Sequence, residues 1–187
     1  MKKLIIASLL LMLMGCSSNI PNKAYYQLIS DFNTSEKVQS QVVNKIIVIE
    51  PINLASYLDT TGIVYQTDQI EFSTASNNLW LTPLSDQIQQ RVVQDLSALL
   101  PGYLVTTKLT SQPAVKVKLF IDAFQGSYTG DAVIKGYWMI TDLNDQVTLK
   151  PFDFKVRLAK DGYPTLVKAL SSGWQNEEID FVRSTKF

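Results

Sequence analysis

The chain has 187 residues, 46% of them hydrophobic and 18% charged, which provides the core of one medium domain and argues against a disordered chain. Lys+Arg is 17 and Asp+Glu is 17, so the basic excess of a nucleic-acid binder is missing. Histidine is absent and cysteine occurs once, which excludes Ser-His and Cys-His nucleophilic mechanisms, His-ligated metals and an intramolecular disulfide.

Lys2-Lys3 form a short positive start, and Leu4 to Met14 is an apolar run interrupted only by Ser8. A membrane span needs about 20 apolar residues, so this run fits the hydrophobic region of a secretory signal peptide instead. It ends at Leu13-Met14-Gly15-Cys16, which resembles a bacterial lipobox with a bulky Met14 at the second place. The expectation is cleavage after Gly15, removal of residues 1–15 and lipidation of Cys16 with long (palmitate-class) acyl chains. Each acyl methylene buried in a bilayer contributes about 0.8 kcal/mol, so two or three chains anchor a protein stably. Ser17 follows where inner-membrane lipoproteins often carry Asp, which by analogy points to the outer membrane. Loss of Lys2 and Lys3 leaves 15 basic and 17 acidic residues, a net charge of −2, so the acyl chains rather than charge form the tether.

Residues 16–23 make a polar tether with Pro21, and its root-mean-square reach is about 16 Å for roughly 8 residues. The folded unit expected over 24–187 therefore stays near its own membrane. Ala24–Ser30 is aromatic and branched and predicts a strand, whereas Asp31–Asn44 is polar and predicts a loop. Within it, Asn33-Thr34-Ser35 matches a glycosylation sequon that carries no weight in a bacterial lipoprotein. Lys45–Glu50 predicts a buried strand stopped by Pro51, and Asn53–Leu58 a helical turn or extended loop. Gly62–Thr67 and Ile70–Thr74 predict a hairpin.

Thr82 as N-cap and Pro83 as first helical residue predict a helix start. Leu84, Ile88, Val92, Leu96 and Leu100 mark its apolar face, opposite Gln87, Gln90, Arg91 and Gln94, and Pro101-Gly102 end it. Three strands are expected next, over Ala114–Phe124, Asp131–Thr141 and Gln146–Leu158, as an antiparallel meander. A last helix runs from about Pro164 to Arg183, with Leu166, Val167, Leu170, Trp174, Phe181 and Val182 inward. The expected fold class is α/β of α+β-like character: one mixed, largely antiparallel β-sheet packed by two amphipathic helices.

Chemical motifs are sparse. Asp142, Asn144, Gln146 and Asp153 occupy positions 1, 3, 5 and 12 of a calcium-loop template, but Val147 replaces its glycine and a hairpin turn is the better reading. Glu177, Glu178 and Asp180 form an acidic cluster, read as a solvated helix face. No cofactor or metal is expected. Candidate partner-binding residues are Tyr65, Asn78, Trp80, Tyr128, Tyr137 and Trp138, although half of such aromatics belong in a core. Trp80 lies in a polar Asn-Asn-Leu-Trp stretch, where it either staples the helix or anchors a partner. Gly126, Gly130 and Gly136 flank Tyr128 and Trp138 and suggest bulges or close backbone approach.

An ordered set of segments carries a resemblance. It comprises Tyr25-Tyr26-Gln27-Leu28, Tyr57-Leu58, Gly62-Ile63-Val64-Tyr65-Gln66-Thr67, Asn77-Asn78-Leu79-Trp80 and Pro83-Leu84. Leu100-Pro101-Gly102, Phe124 to Gly130, Gly136-Tyr137-Trp138, Pro151-Phe152 and Asp161-Gly162-Tyr163 continue it. With Cys16, this set resembles the PqiC/YmbA-type ABC-transport auxiliary lipoproteins over nearly the whole chain. The resemblance implies a non-enzymatic outer-membrane component of a paramagnetic-quinone-inducible (Pqi) system linked to lipid trafficking and envelope integrity. Its implied partners are a periplasm-bridging MCE-domain protein (PqiB-like), an integral inner-membrane PqiA-like protein and further copies of itself. Two other readings make structural demands. A stand-alone periplasmic lipid carrier needs a closed apolar pocket, and a carboxylate hydrolase needs two acids converging in a cleft.

Overall fold

The computed structural model describes residues 22–30, 32, 45–185 and 187. Cys16, Gly15, the signal segment 1–15, the sequon and, apart from Phe32, the stretch expected to be a polar loop lie outside those residues. Among these residues nine strands form one mixed sheet: β1 Ala24–Tyr26, β2 Lys45–Ile49, β3 Asn53–Leu54, β4 Gly62–Gln66, β5 Phe72–Trp80, β6 Tyr103–Thr106, β7 Val115–Ser127, β8 Asp131–Thr141 and β9 Val147–Arg157. Two α-helices, α1 Leu84–Leu99 and α2 Tyr163–Ser184, pack on it. A 3-10 turn, Ser56–Leu58, follows β3.

The long β7 organises the sheet. Its first side pairs with β8 along its whole length, antiparallel, and β8 pairs likewise with β9. Its second side is covered in succession by β2 near Val117, β3 at Phe120 and Ile121, and β4 at Gly126 and Ser127, all parallel. β2 continues parallel to β6, and β4 continues antiparallel to β5, which carries β1 in parallel at its outer side. Parallel pairings are thus more numerous, but the long registers are antiparallel.

Alternation explains which side chains face the helices. Val117, Leu119 and Ile121 of β7, Ile134, Trp138 and Ile140 of β8, and Phe152 of β9 are buried against α2 and α1. The period breaks once. A bulge between Ile121 and Ala123 shifts the register, so Ile121 and Phe124 both reach the core although they are three residues apart. Gly136 lies beside that bulge, where any Cβ would strike the Phe120 carbonyl, so only glycine lets the strands close there.

Several expected elements shift. β1 ends at Tyr26 and not at Ser30, because Leu28 leaves the sheet edge and buries between the helices. Asn77–Trp80 belongs to β5 rather than to a polar loop before the helix. α1 begins at Leu84 with Pro83 in the cap position and no side-chain cap; the Pro83 carbonyl receives the Asp86 and Gln87 amides. Gln87, expected on the polar face, is buried, because it bonds the Leu28 amide at 2.9 Å and the Thr82 carbonyl at 2.9 Å. Tyr103–Thr106 is a strand that no local pattern marks, and it exists through its pairing with β2.

Candidate functional site

The six candidate partner-binding residues fall into four places. Tyr65 of β4 is half-buried and its hydroxyl donates to the Ser127 carbonyl at 2.9 Å. Its ring fills the space that a side chain at Gly126 would occupy. Tyr128 stands in the β7–β8 turn at the same end of the sheet and is 46% exposed. Asn78 lies beside β1 and accepts from the Tyr26 hydroxyl at 3.0 Å. Trp80, at the end of β5, is buried in the core cluster and offers no anchor.

Trp138 is also a core residue. It stacks on Phe181 with ring centroids 4.1 Å apart and on Trp174 at 5.5 Å, and it is 1% exposed. Even-numbered positions of β8 point toward α2, which is why it cannot face a partner. Tyr137, its neighbour, points the other way and stacks on Phe120 at 4.5 Å, with the rings 9° from parallel.

Tyr137 belongs to a surface that the individual residues did not announce. Cross-strand register aligns Phe120, Tyr137 and Pro151 in one row, Lys118, Met139 and Leu149 in the next, and Lys116, Thr141 and Val147 in a third. This is the face of the β7–β9 meander opposite the helices. Val147 and Leu149 are each 59% exposed. The Lys118 ammonium lies 5.3 Å from the Phe120 ring centroid, a cation–π distance. The signal for this surface was present as apolar residues on the outward phase of all three strands, but it becomes a patch only once the register is known.

The acidic cluster is not a solvated face. Glu178 is fully buried, and neither carboxyl oxygen makes a hydrogen bond. Its polar neighbours are the Asp95 carboxylate and the Trp174 indole, with Arg91 alongside. Burial, then Asp95, holds the Glu178 carboxyl well above the usual carboxylate range. Asp95 is itself buried and pairs with Arg91 one turn earlier on α1. Glu177 accepts from the Trp138 indole, and burial raises its carboxyl to about 7, with the Trp138 bond and Lys150 opposing and Asp180 adding to the rise. Two acids therefore do converge, but between packed helices rather than in a cleft where a substrate would sit. The Asp142 carboxylate takes the Asn144 and Gln146 amides and so closes the β8–β9 turn, as the hairpin reading holds. Among the described residues no cluster of acidic or cysteine side chains is arranged to hold a metal.

The space between sheet and helices is filled by Trp138, Trp174, Phe124 and Phe181. The described surface depressions are open. One of about 390 Å³ runs along α2 between Ile29, Val156, Lys168 and Ala169, and one of about 230 Å³ lies over Trp80 and Pro83. Neither is the closed apolar chamber that a stand-alone lipid carrier needs.

Residues 26–178 match the family described as the ABC-type transport auxiliary lipoprotein component. The chain is 32% identical, over 100% of its length and 98% of the relative's, to the intermembrane transport lipoprotein PqiC of Escherichia coli strain K12. The PqiC of Shigella flexneri matches to the same extent. A crystal structure titled as an uncharacterized protein superposes with TM-score 0.76 at 31% identity, covering 87% of this chain and 98% of that one. A crystal structure of a Xanthomonas campestris protein shares the fold, with TM-score 0.69 at 14% identity over 85% of this chain and 92% of that one. The chain belongs to the ABC-type transport auxiliary lipoprotein family and, within it, is a lipoprotein of the PqiC type.

Proposed function

We propose that the chain is the outer-membrane subunit of a Pqi-type transport system. In this reading Cys16 carries the acyl anchor after loss of residues 1–15, and the folded body docks an MCE-domain protein that spans the periplasm. That protein in turn leads to an integral inner-membrane PqiA-like partner. The role is positional and needs no reacting group. Copies of the chain associate with one another in the same assembly.

The observation that carries the docking reading is the face of the meander that no other described residues cover. Phe120, Tyr137, Pro151, Met139, Leu149 and Val147 form contiguous apolar rows there, edged by Lys116 and Lys118. A contiguous apolar patch with a charged edge on a chain of balanced composition suits a protein partner with a complementary acidic fringe. The short tether supports the same reading, since a body held within about 16 Å of one membrane connects to another only through a long partner.

The test is a photo-crosslinking residue placed at Tyr137 in native envelopes. The expected product is an adduct with an MCE-domain protein, and co-purification of that protein from detergent-solubilised envelopes. Adducts that never contain an MCE-domain protein would overturn the docking reading. Substitution Cys16→Ser separately tests the anchor. The processed variant is expected in the soluble periplasmic fraction, and its retention in outer membranes after a salt wash counts against acylation.

A further inference from the structure

Two aliphatic side chains stand in solvent at opposite ends of the β7–β8 ladder. Ile70, at the apex of the β4–β5 hairpin, is 91% exposed, and Leu143, in the β8–β9 turn, is 63% exposed. Gln66, beside that apex, pairs with Ser127 at the end of β7, whereas Thr141, beside Leu143, pairs with Lys116 at its beginning. The 13 residues of β7 separate the two ends by about 40 Å at roughly 3.3 Å per residue. Composition does not distinguish the two ends, but the direction of the N-terminal strand does.

β1 runs parallel to β5, with Ala24 opposite Asn78 and Tyr26 opposite Trp80. Followed backwards from Tyr26 to Ala24 and Lys23, the chain therefore heads toward the Phe72 end of β5, which is the hairpin end. The same end carries Tyr128 in the β7–β8 turn. It also carries Arg157, whose exposed guanidinium bonds the Thr129 carbonyl and pairs at 3.4 Å with the Asp131 carboxylate, and the exposed Lys160 just beyond β9. An apolar knob beside a half-exposed tyrosine and two cations is the composition of a membrane-interface contact.

We propose that this end of the sheet rests on the lipid leaflet that holds the anchor. Ile70 enters the headgroup–acyl boundary, Tyr128 lies at headgroup level, and Arg157 and Lys160 meet phosphates. The β8–β9 turn with Leu143 then points away from the membrane. The proposal rests on the reading that Cys16 is acylated, and the lengths agree. Six steps of β5 separate Asn78, opposite Ala24, from Phe72 beside the apex, about 20 Å at roughly 3.3 Å per step, and the tether reaches about 16 Å, so the acyl chains and the hairpin apex come to the same surface within a few ångströms. Asp68 and Glu71 flank Ile70, and the Asp68 carboxylate turns back to its own chain to accept the Gln69 amide at 2.6 Å. Two acids beside the knob suit a zwitterionic leaflet and disfavour an anionic one.

The experiment compares Ile70→Trp with Leu143→Trp in the full processed chain, natively acylated and reconstituted into phosphatidylcholine–phosphatidylethanolamine vesicles. The native tryptophans Trp80, Trp138 and Trp174 are buried, so the parent protein supplies a steady background. Emission from position 70 is expected to shift to the blue on reconstitution and to be quenched by brominated acyl chains, and emission from position 143 to do neither. Equal quenching at both positions, or quenching at 143 alone, or none at 70 in protein that floats with the vesicles, overturns the proposal. Native protein that fails to float overturns the acylation reading instead. The orientation is then read on protein whose Cys16 thiol has been coupled to a maleimide phospholipid, where quenching at 70 upholds the geometry and its absence rejects it.

Discussion

The Trp138 indole nitrogen donates to the Glu177 carboxylate at 2.9 Å and so ties the middle of β8 to the last turns of α2. The bond sits at the edge of an aromatic stack of Trp138, Phe181 and Trp174, all of which are buried. Glu177 is consequently half out of water, and Glu178, the next residue, is wholly out of it. Both carboxyls hold a proton more tightly in the fold than in an unfolded chain.

That asymmetry sets the sign of a pH dependence. An unfolded glutamate titrates near about 4.3, and folded Glu177 titrates at about 7. Across that window the folded state binds more protons, so the contribution of Glu177 to stability is present at low pH and is lost as pH rises to about 7. Glu178, raised further by burial and by Asp95, extends the loss upward in pH. Glu178→Gln is expected to raise the melting temperature at pH 8 more than at pH 5. Glu177→Gln, which keeps an acceptor for Trp138, should reduce the fall in stability between the two. Thermal unfolding at both pH values checks this, and a parent-minus-variant difference that does not change with pH contradicts it.

The segment after β1 works as a strap across the two helices. Leu28 is buried between them, its amide donates to Gln87 on α1, and the Ile29 amide donates to Ser171 on α2 at 3.2 Å. Leu28→Ala is expected to cost about 2–5 kcal/mol, as a large-to-small change in a core. Gln87→Ala should cost about 1–3 kcal/mol by leaving the buried Leu28 amide without its partner. Urea unfolding measures both, and an unchanged midpoint for Gln87→Ala would remove the strap from the account.

Gly126 and the Tyr65 ring share one space. Gly126→Ala is expected to destabilise by about 1–3 kcal/mol through overpacking. Tyr65→Ala vacates that space, so the double variant should lose less than the sum of the two single losses. A strictly additive double-mutant cycle would show that the ring and the glycine are not in contact.

The outward phase of the meander is expected to carry binding and not stability. Leu149→Glu should change the unfolding free energy by no more than about 0.5 kcal/mol, the usual range for an exposed position. The same variant should abolish recovery of the MCE-domain partner. A folded Leu149→Glu that retains the partner would move the docking surface elsewhere.

Local pattern determined much of this protein. The β8 span Asp131–Thr141 is legible to the residue, because its alternation is unbroken and both of its neighbours are sequential strands. The apolar stripe of α2 and the aromatic character of the core are legible for the same reason, and the ordered set of segments made the family legible as well. The tertiary structure decided the rest. Tyr103–Thr106 is a strand only because β2 lies beside it, and Gln87 is buried only because Leu28 arrives from 59 residues away. Glu178 has the sequence surroundings of a solvated acid, and its burial follows from which side of α2 meets α1. Trp138 and Tyr137 are adjacent in sequence, yet one completes the core and the other faces outward. Periodicity is local and says that two faces differ. Which face is covered depends on contacts between distant segments, and those exist only once the chain has closed on itself.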